Sequence, residues 1–102
     1  MIVDNTFPTP YLFRPFDFGA DIDVYSSTKA INGHGNVVSG IIVDHGQFDW
    51  GNGKFPQFTE NEFTLETADG QPVSFNEKFG SAAFISRVRI KYLRLFGSVM
   101  SI

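Results

Sequence analysis

Ser26-Ser27-Thr28-Lys29 is the sharpest chemical feature of this sequence: three hydroxyls and one amine stand directly after a β-branched stretch and just before a glycine-bearing loop. Hydroxyl donors placed there can hold a phosphate, compensating oxygens removed from water. The Lys29 amine, partly desolvated at such a site, would lose its proton more readily than a surface lysine and could condense with an aldehyde. Ser-Thr-Lys runs also occur in ordinary loops, where the lysine is simply solvated. Asp4, after the apolar pair Ile2-Val3, is the carboxylate that could act with Lys29, although an isolated Asp in this setting is more often a turn residue or a helix cap. If the stretches before Asp4 and Ser26 are parallel strands, both residues lie beyond carboxyl ends, where open α/β sheets collect ligands.

The other chemically capable residues are weaker candidates. His34 and His45 have neither a cysteine partner nor two-histidine helical spacing, so they are read as loop or packing residues and no metal is expected. Gly33-His34-Gly35 lacks the third glycine of a dinucleotide fingerprint; its glycines let the chain turn beside the lysine. Arg87, Lys91 and Arg94 recur at helical spacing and are read as a solvated or subunit-facing helix surface, with five acids between Glu60 and Glu77 close by in sequence. Asp17, Asp21 and Asp23 form no carboxylate pair and are read as loop and strand-edge charges.

The elements that must position these groups follow from periodicity and breakers. Ile2-Val3 predicts a buried strand tip ended by Asp4-Asn5-Thr6, and residues 22–26 predict a second strand with Ile22 and Val24 on one face. The polar ends of both strands are expected to converge. Pro8, Pro10 and Pro15 exclude a regular helix through 8–15 and predict a shaped connection. Val37-Val38 and Gly40-Ile41-Ile42-Val43 predict a third strand in the core, stopped by Asp44 and Gly46. Between Gln47 and Lys78 the sequence predicts an irregular surface excursion pinned by Phe48, Trp50, Phe55 and Phe58. Inside it, Phe63, Leu65 and Thr67 alternate toward Asp69-Gly70, and Val73 and Phe75 resume the alternation, which predicts a hairpin with a tight turn. Residues 79–96 predict a helix with Phe84, Val88, Tyr92 and Leu95 on one face and Gly97 as its stop.

Composition bounds the rest. At 102 residues the chain has the length of one small domain, and 42% hydrophobic residues including twelve Phe predict a strongly aromatic core. The absence of cysteine excludes a disulfide scaffold and thiolate metal sites and fits a reducing, cytoplasmic setting. A net charge of -3 argues against a nucleic-acid partner held through phosphates. The longest apolar run, Ala82 to Ile85, is far too short to span a bilayer, so no membrane partner is expected.

Several segments carry a likeness in this order and with these gaps: Val3-Asp4-Asn5-Thr6-Phe7, Thr9-Pro10-Tyr11-Leu12, Gly19-Ala20-Asp21-Ile22, Ser26-Ser27-Thr28-Lys29, Gly33-His34-Gly35 and Gly40-Ile41-Ile42-Val43-Asp44. Phe48-Asp49-Trp50, Lys54-Phe55-Pro56 and residues 79–85 extend it. Together they resemble the pyridoxal-phosphate enzymes of cysteine and methionine metabolism, most closely the O-acetylhomoserine sulfhydrylase branch. The resemblance implies an α/β chain, with residues 1–102 a partial pyridoxal-phosphate-binding domain: the central segment of the large domain of the fold-type I, aminotransferase-like transferases. It implies that Lys29 bears pyridoxal 5'-phosphate covalently and moves protons, that Asp4 pairs with the pyridine nitrogen, and that Ser26 and Thr28 hold the cofactor phosphate. Ala30 and Ser27 depart from the family's usual residues and are read as branch variation.

Family chains are much longer, and this one is expected to be cut at both ends, before Met1 and after Met100-Ser101-Ile102. The resemblance puts outside it the aromatic that stacks on the cofactor, the glycine-containing phosphate loop, the arginine for the substrate carboxylate and groups from a neighbouring subunit. It also implies a homotetramer for the complete family chain. The expected function is a segment of an enzyme that replaces the acetate of O-acetylhomoserine by sulfide or a thiol. Cystathionine γ-synthase or methionine γ-lyase chemistry would use the same four residues. A reading of another class is a catalytically inactive fragment serving at most as a subunit-binding or vestigial module.

Overall fold

The β-branched pair Ile2-Val3 and the stretch that follows Asp21 pair as parallel strands, β1 (Ile2–Asp4) and β2 (Ile22–Tyr25), with Ile2 opposite Ile22 and Asp4 opposite Val24. This is seen in a computed structural model that describes residues 1–97; residues 98–102, including Met100-Ser101-Ile102, lie outside the described residues. The architecture is mixed α/β, divided into two compact units whose described parts are residues 1–45 and 46–97. Among the described residues no helix is long and apolar enough to cross a membrane.

In residues 1–45 the sheet has the order β1-β2-β3, with β3 (Ile41–Asp44) antiparallel to β2. The proline-rich connection forms short turns rather than a regular helix, as expected: α1 (Thr9–Leu12) and a 3-10 turn at Pro15–Phe18. Two expectations are corrected. Val37 and Val38 stand outside the third strand, and Ile41, Ile42 and Val43 are 40%, 46% and 36% exposed rather than core. Consecutive residues point to opposite faces of a strand, so both faces of β3 are left largely uncovered among the described residues, where its packing partner is β2.

Asp23 is a further correction. It is no edge charge but sits at 1% exposure in the central strand, opposite Val3 on one side and Val43 on the other. Residues two apart share a face of a strand, so Tyr25 lies beside it and its phenol donates to Asp23 Oδ2. Burial, and then this hydrogen bond to a carboxylate, raise the Tyr25 pKa. Asn5 Nδ2 donates to the Tyr25 oxygen (3.4 Å) and to Phe13 O (2.9 Å), while Asp23 Oδ1 has no partner among the described residues. Tyr25→Phe should therefore cost about 2 kcal/mol, since it strips a buried carboxylate of a donor. In an Asp23→Val background the same change should cost almost nothing. Urea unfolding of the four chains measures the cycle, and equal losses in both backgrounds would refute the coupling.

Residues 46–97 hold the aromatic core. Trp50 packs on Phe48, Phe55, Phe58 and Phe84 at centroid distances of 4.5, 5.3, 4.7 and 5.1 Å. Trp50 and Phe58 are buried with Leu65, Val73, Phe75 and Ala83, so these aromatics centre a core rather than pin a surface excursion. The expected hairpin forms from β4 (Asn61–Glu66) and β5 (Pro72–Ser74), turning through Thr67–Gly70 with Gly70 N donating to Thr67 O. Its register shifts between Glu62 and Glu66. The alternation expected of Phe63, Leu65 and Thr67 breaks there: Glu62 and Leu65 are buried, and Phe63 is 85% exposed.

The helical run begins earlier than expected. Ser74 caps α3 (Phe75–Phe79) in a capping box, accepting from Glu77 N while the Glu77 carboxylate accepts from Ser74 N, so Phe75 opens a helix instead of closing a strand. Gly80, at φ 52°, ends that helix in a conformation L side chains avoid. After a 3-10 turn come α4 (Ala83–Arg87), a π-helical stretch at Val88–Tyr92 and α5 (Leu93–Phe96), with Gly97 left-handed at the stop. The wide π turn rotates the later residues away from strict helical spacing. Phe84 reaches the core, but Leu95 is exposed and Tyr92 stacks on Phe96. Of the three basic residues read as a solvated or subunit-facing surface, Arg94 is exposed, whereas Arg87 and Lys91 turn inward to pair with the buried Glu62.

Candidate functional site

Parallel pairing of β1 and β2 brings their carboxyl ends to one edge, and the Asn5 N–H to Val24 O bond (2.9 Å) extends the ladder one step further. Asp4, Asn5 and Thr6 therefore emerge beside Tyr25 and Ser26, the convergence expected of the two polar strand ends. Thr6 binds these ends together. Its hydroxyl accepts from Ser26 N (2.8 Å) and donates to Asp4 Oδ1 (2.6 Å), while its backbone N–H donates to the same oxygen (3.0 Å). Asp4 is consequently held below the ordinary carboxylate pKa, first by the Thr6 hydroxyl, then by the Thr6 N–H, with a smaller contribution from the Lys29 ammonium.

Beyond Ser26 the chain turns tightly, with Lys29 N donating to Ser26 O (3.1 Å) and Gly33 N to Lys29 O (2.7 Å). Gly33 and Gly35 take φ of 75° and 65°, the turn-making role expected of them beside the lysine. Lys29 itself is exposed, and its ammonium lies 5.2 Å from the centre of the Phe7 ring. The partial desolvation expected of this lysine is therefore not found in this chain, because one aromatic face leaves the rest of the amine in water.

The two hydroxyls differ. Thr28 Oγ1 accepts from Ser39 N (2.8 Å) and donates to Ser39 O (3.2 Å), fastening the loop ahead of β3. Ser27, buried, shares a hydrogen bond with the Ser39 hydroxyl (2.5 Å). The Ser26 hydroxyl, Asp4 Oδ2 and the Lys29 amine make no hydrogen bond among the described residues. One ionised carboxylate oxygen, one hydroxyl and one amine thus stand unengaged at one sheet edge. That donor set suits pyridoxal phosphate, which presents a basic ring nitrogen, a phosphate and an aldehyde; Thr28 would have to exchange Ser39 O to join it.

All four predicted residues, Asp4, Ser26, Thr28 and Lys29, lie at this edge. Thr6 and Ser39 are hydrogen-bond partners of these residues that sequence reasoning missed. The signal for Thr6 was present, because an Asp that accepts from the backbone two residues on is the ordinary Asx turn. His34 Nδ1 lies 2.9 Å from Asn32 O in an exposed loop, and His45 stacks on Phe16 at 4.8 Å, so both have loop or packing partners.

A model of the family described as "Cys/Met metabolism PLP-dependent enzyme" matches residues 1–101. The chain is 42% identical over 109 residues to an O-acetyl-L-homoserine sulfhydrylase of Leptospira meyeri, covering 99% of this chain and 24% of that protein. It is 45% identical over 104 residues to a homocysteine/cysteine synthase of Kluyveromyces lactis and 42% over 105 residues to one of Saccharomyces cerevisiae, each time covering 99% of this chain and 22% of the relative. The chain thus spans about a quarter of the length of the curated relatives it matches. On this match across nearly every residue, the chain belongs to the family of pyridoxal-phosphate-dependent enzymes of cysteine and methionine metabolism.

Proposed function

We propose that residues 1–102 are part of the fold-type I, pyridoxal-phosphate-binding large domain of an O-acetylhomoserine sulfhydrylase. This transferase replaces the acetate of O-acetylhomoserine by sulfide or a thiol in homocysteine and methionine synthesis, acting in the cytoplasm as a homotetramer. The observation that carries the reading is the meeting of an ionised Asp4 and the Lys29 amine beyond the carboxyl ends of two parallel strands. The names of the relatives support the branch.

Pyridoxal phosphate, when bound, supplies an electron sink for the carbon next to the substrate's amine. This chain's own residues do the remaining work. Lys29 would hold the cofactor through its amine and would remove and return protons at the substrate carbon. Asp4, kept ionised by Thr6, would stabilise a protonated ring nitrogen. Ser26 and Thr28 donate to phosphate oxygens. In the net reaction a carbon–oxygen bond breaks, acetate leaves with the electron pair, and a carbon–sulfur bond forms.

Borohydride reduction of the holoenzyme followed by peptide mapping should find the pyridoxyl group on Lys29, and the untreated enzyme should convert O-acetylhomoserine and sulfide to homocysteine. A label on Lys54 or Lys78 with Lys29 unmodified would overturn the assignment. Cystathionine made from cysteine, with no homocysteine made from sulfide, would move the protein to the cystathionine γ-synthase branch.

A further inference from the structure

Thr6 occupies a place that a loop residue rarely holds. It is 5% exposed, and its hydroxyl uses its proton on Asp4 Oδ1 and a lone pair on Ser26 N, so one oxygen joins the ends of two strands about twenty residues apart in sequence. The Thr6 N–H adds a second bond to Asp4 Oδ1. With Oδ1 taken twice, the carboxylate cannot rotate without breaking both bonds, and Oδ2 remains without a hydrogen-bond partner among the described residues. Asp4 is otherwise exposed, and a carboxylate on an exposed strand end would sample several rotamers.

We infer that Thr6 is a positioning residue that fixes the Asp4 carboxylate, presenting Oδ2 alone to a cationic ring nitrogen, and that ties this placement to the start of the lysine turn through Ser26. The inference rests on the functional reading above for the identity of that nitrogen, but the Thr6–Asp4 link is a property of the chain itself. A charge-assisted hydrogen bond of this kind both orients its acceptor and holds it ionised, because protonation would weaken the bonds from the Thr6 hydroxyl and N–H.

The test uses carboxyl carbon NMR on the cofactor-free enzyme together with the holoenzyme. In the cofactor-free wild type Asp4 should titrate below an ordinary aspartate, with the Thr6 amide signal moving in step. Thr6→Val, which keeps shape and removes the hydroxyl, should raise the Asp4 titration, and Thr6→Ser should restore it. In the holoenzyme Thr6→Val should lower kcat by about tenfold, the size of one lost bond to a charged group, with the cofactor still trapped on Lys29 and Thr6→Ser near wild type. An Asp4 that titrates normally in the cofactor-free wild type, with an unresponsive Thr6 amide, overturns the inference whether or not the valine variant folds. So does a Thr6→Val holoenzyme with unchanged kcat. Failure of the functional reading shows separately, as a label absent from Lys29.

Discussion

Lys29→Ala should lower turnover of O-acetylhomoserine in the holoenzyme by about a thousandfold or more, the range associated with losing a positioned acid–base group that is also a covalent anchor. Lys29→Arg should be equally inactive, although it keeps the charge over the Phe7 ring, because a guanidinium does not give up its proton at working pH and cannot bond to the cofactor as an amine does. Added methylamine should restore part of the activity of the alanine variant and none of the activity lost in Asp4→Asn. On the proposed assignment, Asp4→Asn should diminish kcat more than cofactor retention, since it would remove the charge that holds the ring nitrogen protonated and leave the covalent link intact. Steady-state rates with absorbance of the retained cofactor measure both. Turnover by Lys29→Ala within tenfold of wild type would remove this residue from the chemistry.

The largest effect on stability should come from Glu62. Its carboxylate is buried in the hairpin and accepts from Lys91 Nζ and from Thr64 Oγ1 (3.3 Å), with Arg87 Nη1 3.8 Å away. Arg87 is further held by Gln57 O (2.7 Å) and lies over the Phe58 and Phe75 rings at 5.6 and 5.3 Å. Removing the carboxylate leaves two cations facing each other in a largely dry site. Glu62→Ala should therefore cost about 3 kcal/mol at neutral pH, the low end for breaking a buried pair, because Lys91 can still reach water. The Lys91 hydrogen bond lowers the Glu62 pKa below its ordinary 4.5 against the opposing effect of burial. A carboxylate depressed in the folded state stabilises above its unfolded pKa, and that contribution disappears as pH falls through the folded value. The difference between wild type and Glu62→Ala should hence be full at neutral pH and shrink only below 4.5. Trp50, the single tryptophan, lies in the same core and reports the unfolding by fluorescence. A difference that stays constant down through that range would show that the ion pair contributes nothing.

These two sites divide in how they were legible. Asp4 and the 26–29 run could be read directly, because each is a contiguous group at a strand end and the strands are named by short β-branched stretches with hydroxyl or amide stops. Their meeting required one further fact, the parallel pairing of β1 and β2, which the polar ends suggested and the register confirms. The turn at Asp69-Gly70 and the long helical run were also local matters. The capping box at Ser74 and Glu77 was equally local, and reading it would have started the helix at Phe75.

What only the tertiary structure decided is which face of each element is covered. Periodicity says that Asp23 and Tyr25 share a face and that Phe63 and Leu65 should do so, but it carries no information about what packs against that face. Asp23 is buried because two strands flank it and Tyr25 supplies a donor. Phe63 is outside because a register shift turns the strand and Glu62 takes the inner position. Glu62 can do so because two cations 25 and 29 residues later arrive from a helical run to neutralise it. Ile41 to Val43 read as core and are exposed instead, since apolar character sets a tendency to be buried and only the packing of other elements on the faces of β3 determines whether anything covers them. Burial of a charge or exposure of an aromatic is a sum over partners distant in sequence, and such sums are formed only in three dimensions.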